Sequence, residues 1–121
     1  MNILIADDSK MSQMVIHKFM KSTFGEDVKV TFVYTGEEAV ELYPKVKPYF
    51  CTIDIVMAGM DGVEASKKIN SMDPNARIII VTSTEQTLED YSDIQAIKAV
   101  VKKPITLQKM QDAIKLAKIR F

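Results

Sequence analysis

The chain has 121 residues, of which 47% are apolar and 26% charged, and its sixteen basic residues balance sixteen acidic ones. This is the length and composition of one ordinary globular domain, expected to bury somewhat under ~70% of its unfolded surface. The charge balance excludes a net attraction to nucleic acid or to an anionic membrane, and no apolar run is long enough to span a bilayer.

The first residues, "MNILIADD", carry no basic region ahead of the apolar run and no small-residue cleavage site. They read as an unprocessed, cytoplasmic start. Ile3, Leu4 and Ile5 are continuous rather than alternating, the pattern of a strand covered on both faces. Asp7 and Asp8 then follow side by side. Carboxylates this close repel and raise each other's pKa, which a fold tolerates if a cation sits between them or the loop is solvated. Ser9 is an N-cap candidate for a helix whose apolar positions are Met11, Met14, Val15, Phe19 and Met20. His17, the sole histidine, lies off that stripe and is expected to face solvent rather than act as a catalyst or phosphodonor.

The run "VKVTFV" alternates and suits a strand nearer an edge. Pro44, Pro48 and Pro74 are expected between elements. The third apolar run, "YFCTIDI", holds the only cysteine, Cys51, read as a small core residue that fits a reducing compartment, and ends at Asp54. The fourth, "ARIIIVT", leads into Thr82 and Ser83. The acidic stretch "TLEDYSD" reads as a solvated helix face, and "AVVK" as a fifth strand running into Lys103 and Pro104. Thr106 is a second N-cap candidate; after it Leu107, Met110, Ile114, Ala117 and Phe121 make one helical stripe that reaches the last residue. The eight methionines are taken mostly as core fillers.

Strands alternating with helices imply right-handed crossovers onto a parallel sheet, a (βα)5 doubly wound α/β fold filling residues 1–121 as one domain. Ligands of such sheets gather beyond the carboxyl ends of the strands. There the chain places Asp7 and Asp8, Asp54, Thr82 and Lys103. Oxygen-only ligands suit Mg2+, which takes one or two carboxylates and completes its shell with water and phosphate oxygens. Asp54 could then be the nucleophile of an aspartyl-phosphate reaction, with Thr82 and Lys103 stabilising the phosphoryl oxygens.

Four landmarks, "ADDS", "DIVMAGMDG", "VTS" and "KKP", stand in order, each at a strand end. With these the chain resembles the receiver domains of two-component response regulators, in their single-domain, CheY-like form. The resemblance implies a flavodoxin/CheY-like strand order of 2-1-3-4-5. It implies Asp54 as phosphoacceptor and Mg2+ held by Asp8, Asp54 and the Val56 backbone carbonyl, with Asp7 acting through a metal-bound water. It implies Thr82 as the switch hydroxyl, Lys103 as the phosphate-pairing lysine before a cis Pro104, and a turn at Asp61 and Gly62. The partners implied are a sensor histidine kinase or phosphotransfer protein, and a downstream protein at the face of the fourth helix, fifth strand and fifth helix. Neither direct nucleic-acid binding nor membrane insertion is implied.

The chain departs from the family pattern in places. Ala58 stands where a proline is common, which implies a looser acceptor loop. Val100 stands where Tyr or Phe is common, so an aromatic rotamer switch is not available. The slightly short span from Thr82 to Lys103 implies a short or shifted fourth helix near 87–97. Val56 and Thr84 occupy positions that tune phosphoryl lifetime in the family, and neither is a strong base, so slow self-dephosphorylation is expected. Two other readings remain: a receiver-shaped adaptor that works without phosphorylation, and a small Mg2+-dependent phosphohydrolase. The intact acidic set disfavours the first and the lack of residues for a cap disfavours the second. A dinucleotide-binding fold lacks its Gly-rich turn after the first strand.

Overall fold

The computed structural model describes residues 1–119. Strands β1 (Asn2–Ala6), β2 (Lys29–Val33), β3 (Phe50–Asp54), β4 (Ile78–Thr82) and β5 (Ile97–Lys102) form one parallel sheet in the order β2-β1-β3-β4-β5. Four α-helices connect or follow them: α1 (Lys10–Phe24), α2 (Gly36–Val46), α3 (Gly62–Met72) and α4 (Leu107–Leu116).

The side-chain period of two explains how the apolar runs are used. Ile3 and Ile5 face one side with Phe50, Ile79 and Val101, where Ile16 and Met20 of α1 and Met110 and Ile114 of α4 cover them. Leu4, Cys51, Ile53, Ile78 and Ile80 face the other side, where Ala39 and Tyr43 of α2 and Ile69 of α3 lie. Fully burying one such Ile or Leu side chain contributes about 2 kcal/mol. The alternating run is β2, and it does lie at an edge, with only Val33 fully buried.

Four elements differ from the sequence reading. The segment expected to be a fourth helix is instead one 3-10 turn, Leu88–Tyr91, and β5 already begins at Ile97. Its residues explain this. Ser, Thr and Asp side chains compete for backbone groups and favour turns over helix interiors. Here the Asp90 carboxylate accepts the Thr87 N–H at 2.7 Å and caps the start of the turn, but successive bonds from Ser92 to Glu89 and from Ile94 to Tyr91 keep the i→i+3 pattern. The (βα)5 expectation thus becomes five strands with four α-helices among the described residues.

Pro44 lies inside α2 rather than after it. It sits in the last turn; the helix ends two residues on at Val46, and Lys47 then takes the left-handed conformation. The last helix stops at Leu116; Lys118 turns left-handed and the Ile119 N–H returns to the Ile114 carbonyl. Phe121, assigned to its stripe from sequence, lies outside the described residues.

Helix α1 is rotated from its expected phase. Gln13, Ile16 and Met20 face the sheet, while Met11 and Met14 are exposed. Of the methionines, only Met20, Met57 and Met110 are buried, so the core-filling reading holds for a minority. His17 is half-buried and meets Phe32 edge-on at 5.4 Å, rather than facing solvent freely; burial, with Lys21 nearby, lowers its pKa.

Candidate functional site

The carboxyl ends of β1, β3, β4 and β5 bring the expected residues together. Asp7 immediately follows β1 and is fully buried; its N–H donates to the Val33 carbonyl, which fixes the loop against β2. One of its carboxylate oxygens accepts the Ser9 N–H at 2.8 Å. The other, Oδ2, has no hydrogen-bond partner and lies 3.5 Å from Lys103 Nζ. Asp8 is exposed. Asp54 ends β3, nearly buried; its Oδ2 accepts Lys103 Nζ at 2.8 Å and its Oδ1 accepts the Val56 N–H at 3.3 Å. One oxygen each from Asp7, Asp8 and Asp54 can be chosen within 4.8 Å of one another.

The electrostatics follow from this crowding. Burial raises the Asp7 pKa above the ordinary aspartate value, and the Asp54 charge adds to that; the Ser9 N–H and the Lys103 ammonium oppose it. For Lys103, burial alone would lower the pKa, but the hydrogen bond and charge of Asp54, with the charge of Asp7, leave it raised. A lysine answers the negative charge only in part. An orphaned buried oxygen on Asp7, among three hard oxygen donors, fits a small divalent cation.

Thr82 ends β4, buried, with its Oγ1 2.7 Å from Thr84 Oγ1. Lys103 directly follows β5, and its peptide to Pro104 is cis, as the resemblance implies. Val56 is exposed on the loop after β3, where its N–H reads Asp54.

That loop is not loose, although Ala58 replaces proline. Thr35 and Ala58 form a parallel bridge, and Glu37 accepts the Met60 N–H at 2.9 Å. This bond lowers the Glu37 pKa. The Gly62 N–H donates to the Ile55 carbonyl at 2.8 Å, and a Cβ on Gly62 would lie 2.0 Å from the Asp54 carbonyl oxygen. Gly62 is therefore required by close approach of two backbones. Asp61 caps α3 by accepting the Glu64 N–H.

Three contributors escaped the sequence reading. Buried Gln13 donates through Nε2 to the carbonyls of Asp7 and Val33, at 2.8 and 3.1 Å, and so clamps the β1–α1 loop. Its signal was a spacing, Gln13-Ile16-Met20, that a purely apolar count passes over. Ser12 Oγ lies 3.5 Å from Lys103 Nζ, and Glu37 pins the acceptor loop from another element; neither has a local signal.

A family model for the response regulator receiver domain matches residues 3–115. The chain is 37% identical over 100 residues to the chemotaxis protein CheY of Thermotoga maritima, covering 83% of this chain and 79% of that one. It is 35% identical over 113 residues to CheY of Bacillus subtilis, covering 93% and 92%. Among solved structures, the CheX–CheY–BeF3–Mg2+ complex from Borrelia burgdorferi contains a chain that superposes with a TM-score of 0.85 at 27% identity, covering 98% of this chain and 90% of that one. The sheet order, the rim of acidic residues and these matches agree: the chain belongs to the response regulator receiver family and is a phosphorelay response regulator of the CheY-like kind.

Proposed function

We propose that the domain takes a phosphoryl group from a phosphohistidine of a sensor histidine kinase or phosphotransfer protein onto Asp54, and that the new charge alters a surface read by a downstream protein. The supporting observation is the meeting of Asp7, Asp8 and Asp54 oxygens with the Lys103 ammonium at one rim. A carboxylate oxygen of Asp54 attacks phosphorus, the P–N bond to the donor imidazole breaks, and the histidine leaves with the bond's electron pair. The product is an acyl phosphate.

Asp7, Asp8, Asp54 and the Val56 carbonyl are the residues that would hold Mg2+. When bound, that cation offsets the charge of the carboxylates and of the phosphoryl oxygens. Lys103, now on Asp54, is placed to transfer its hydrogen bond to a phosphoryl oxygen, and the Thr82 hydroxyl to donate to another. A protein phosphate carries about −1.5 to −2 charges, enough to bias two pre-existing arrangements of the Thr82 and Lys103 side chains. The domain is then a switch that catalyses its own phosphorylation and dephosphorylation, not a turnover enzyme. It works in the cytoplasm; among the described residues no helix is long and apolar enough to cross a membrane. The face read by the target comprises the Leu88–Tyr91 turn, β5 and α4, since a 3-10 turn rather than an α-helix links β4 to β5.

Incubation with acetyl phosphate and Mg2+, followed by mass spectrometry, tests this. One phosphoryl group is expected on the wild type and none on Asp54→Asn or in excess chelator. Modification that persists in Asp54→Asn would overturn the assignment. Decay of the wild-type phosphoprotein is expected to be slow, and Val56→Asn to hasten it by holding an attacking water.

A further inference from the structure

We infer that Thr84 is a latch on Thr82: its hydroxyl and its backbone N–H hold the Thr82 hydroxyl at the outer loop, and Thr82 turns to a phosphoryl group on Asp54 only as that hold opens. The inference rests on the reading of Asp54 as phosphoacceptor. The two Oγ1 atoms are 2.7 Å apart, and the Thr84 N–H donates to Thr82 Oγ1 at 3.0 Å. A threonine hydroxyl offers one proton and two lone pairs. Residue 84 therefore engages two of the three, and among the described residues no hydrogen bond joins the Thr82 side chain to Asp54 or Lys103.

Thr84 is exposed while Thr82 and Asp54 are buried, so both bonds tie the buried hydroxyl to a residue on the outer side of the loop. The loop is also anchored to β5. The Lys103 N–H donates to the Thr82 carbonyl at 2.7 Å, and Glu85 pairs with Lys102. Thr84 thus resists following Thr82 inward. The opposite arrangement is a relay, in which Thr84 donates to Thr82 and strengthens Thr82's own donation to the phosphoryl group. The two differ in the sign of one measurement.

Beryllofluoride, titrated with saturating Mg2+ into the 121-residue chain and followed by NMR shifts of the Thr82 and Lys103 amides, provides it. Thr84→Val keeps the side-chain shape and removes the hydroxyl. Its half-saturating beryllofluoride concentration is expected to fall about threefold, the scale of one net hydrogen bond near solvent. Thr84→Ser restores the wild-type value, which a purely steric role for the methyl group would not predict. Thr84→Ala gives the same direction as Thr84→Val if the hydroxyl is what matters. An unchanged or raised half-saturation in both hydroxyl-free variants overturns the latch. Failure of the wild type to bind beryllofluoride would sink the phosphoacceptor reading and the latch together; binding that both variants leave unaltered sinks the latch alone.

Discussion

The two loops that flank Asp54 are built in opposite ways. The β3–α3 loop is tied at both ends: a strand bridge at Ala58, the Glu37 carboxylate on Met60, and a backbone contact at Gly62 too close for any side chain. The segment from Thr82 to β5 has no α-helix: residues 83–87 are exposed, and one 3-10 turn, seated by buried Tyr91, leads toward β5. The loop after Asp54 is therefore held by other elements, whereas the segment after Thr82 is tied to β5 near its start and its 3-10 turn relies on bonds within itself. Reactive geometry tolerates little displacement, whereas a two-state readout requires a segment of low local stability.

The comparison breaks most easily at Gly62. Gly62→Ala would drive a methyl group into the Asp54 carbonyl, and a loss of about 3 kcal/mol in denaturant unfolding is expected from such overpacking. Next in size is the cation. At free Mg2+ about 100 times its Kd, wild-type stability should rise by about 2.7 kcal/mol, and Asp7→Asn should abolish most of that gain. Without metal the same variant should be more stable than wild type near neutral pH. Because burial raises the Asp7 pKa, the folded state binds its proton more tightly than the unfolded chain does. Stability from that group is present below the ordinary aspartate pKa and is lost as pH rises through the folded value. Chemical denaturation across pH in chelator checks the sign.

Smaller effects sharpen the contrast. Glu37→Ala should speed hydrogen exchange at the Met60 amide while leaving global unfolding little changed, and Glu37→Gln should retain part of the protection because its amide oxygen still accepts. Smallest is Glu89→Ala in the 3-10 turn. It removes an exposed side chain, and its effect on stability should stay within about 0.5 kcal/mol.

Much of this was legible from residues alone. Continuous apolar runs such as Ile78 to Val81 marked the buried strands, and the polar residues after each run marked the rim. Strand order came through resemblance, because a run of isoleucines does not say which neighbour it pairs. The missing helix between β4 and β5 was hidden because "TLEDYSD" has charges and a capping pair, Thr87 and Asp90, that suit a helix start, while the i→i+3 bonds from Ser92 to Glu89 and from Ile94 to Tyr91 have no local pattern. The phase of α1 was misread because Met11 and Met14 look like core residues, and the Asp7–Ser9 turn, which sets where the helix begins, favours Gln13 instead. The clamp from Glu37 joins residues 23 apart in sequence and had no local pattern.

Strands β1 and β3 each have a neighbour on both sides, while β2 and β5 close the sheet at its margins. Asp7 follows one inner strand and Asp54 ends another, whereas Lys103 follows an outer one. Partial melting from the margins would thus detach the ammonium before it disturbs the acids. A warmed or mildly denatured population would keep its seat for a cation after losing the partner that senses charge, so the capacity to be loaded outlives the capacity to signal.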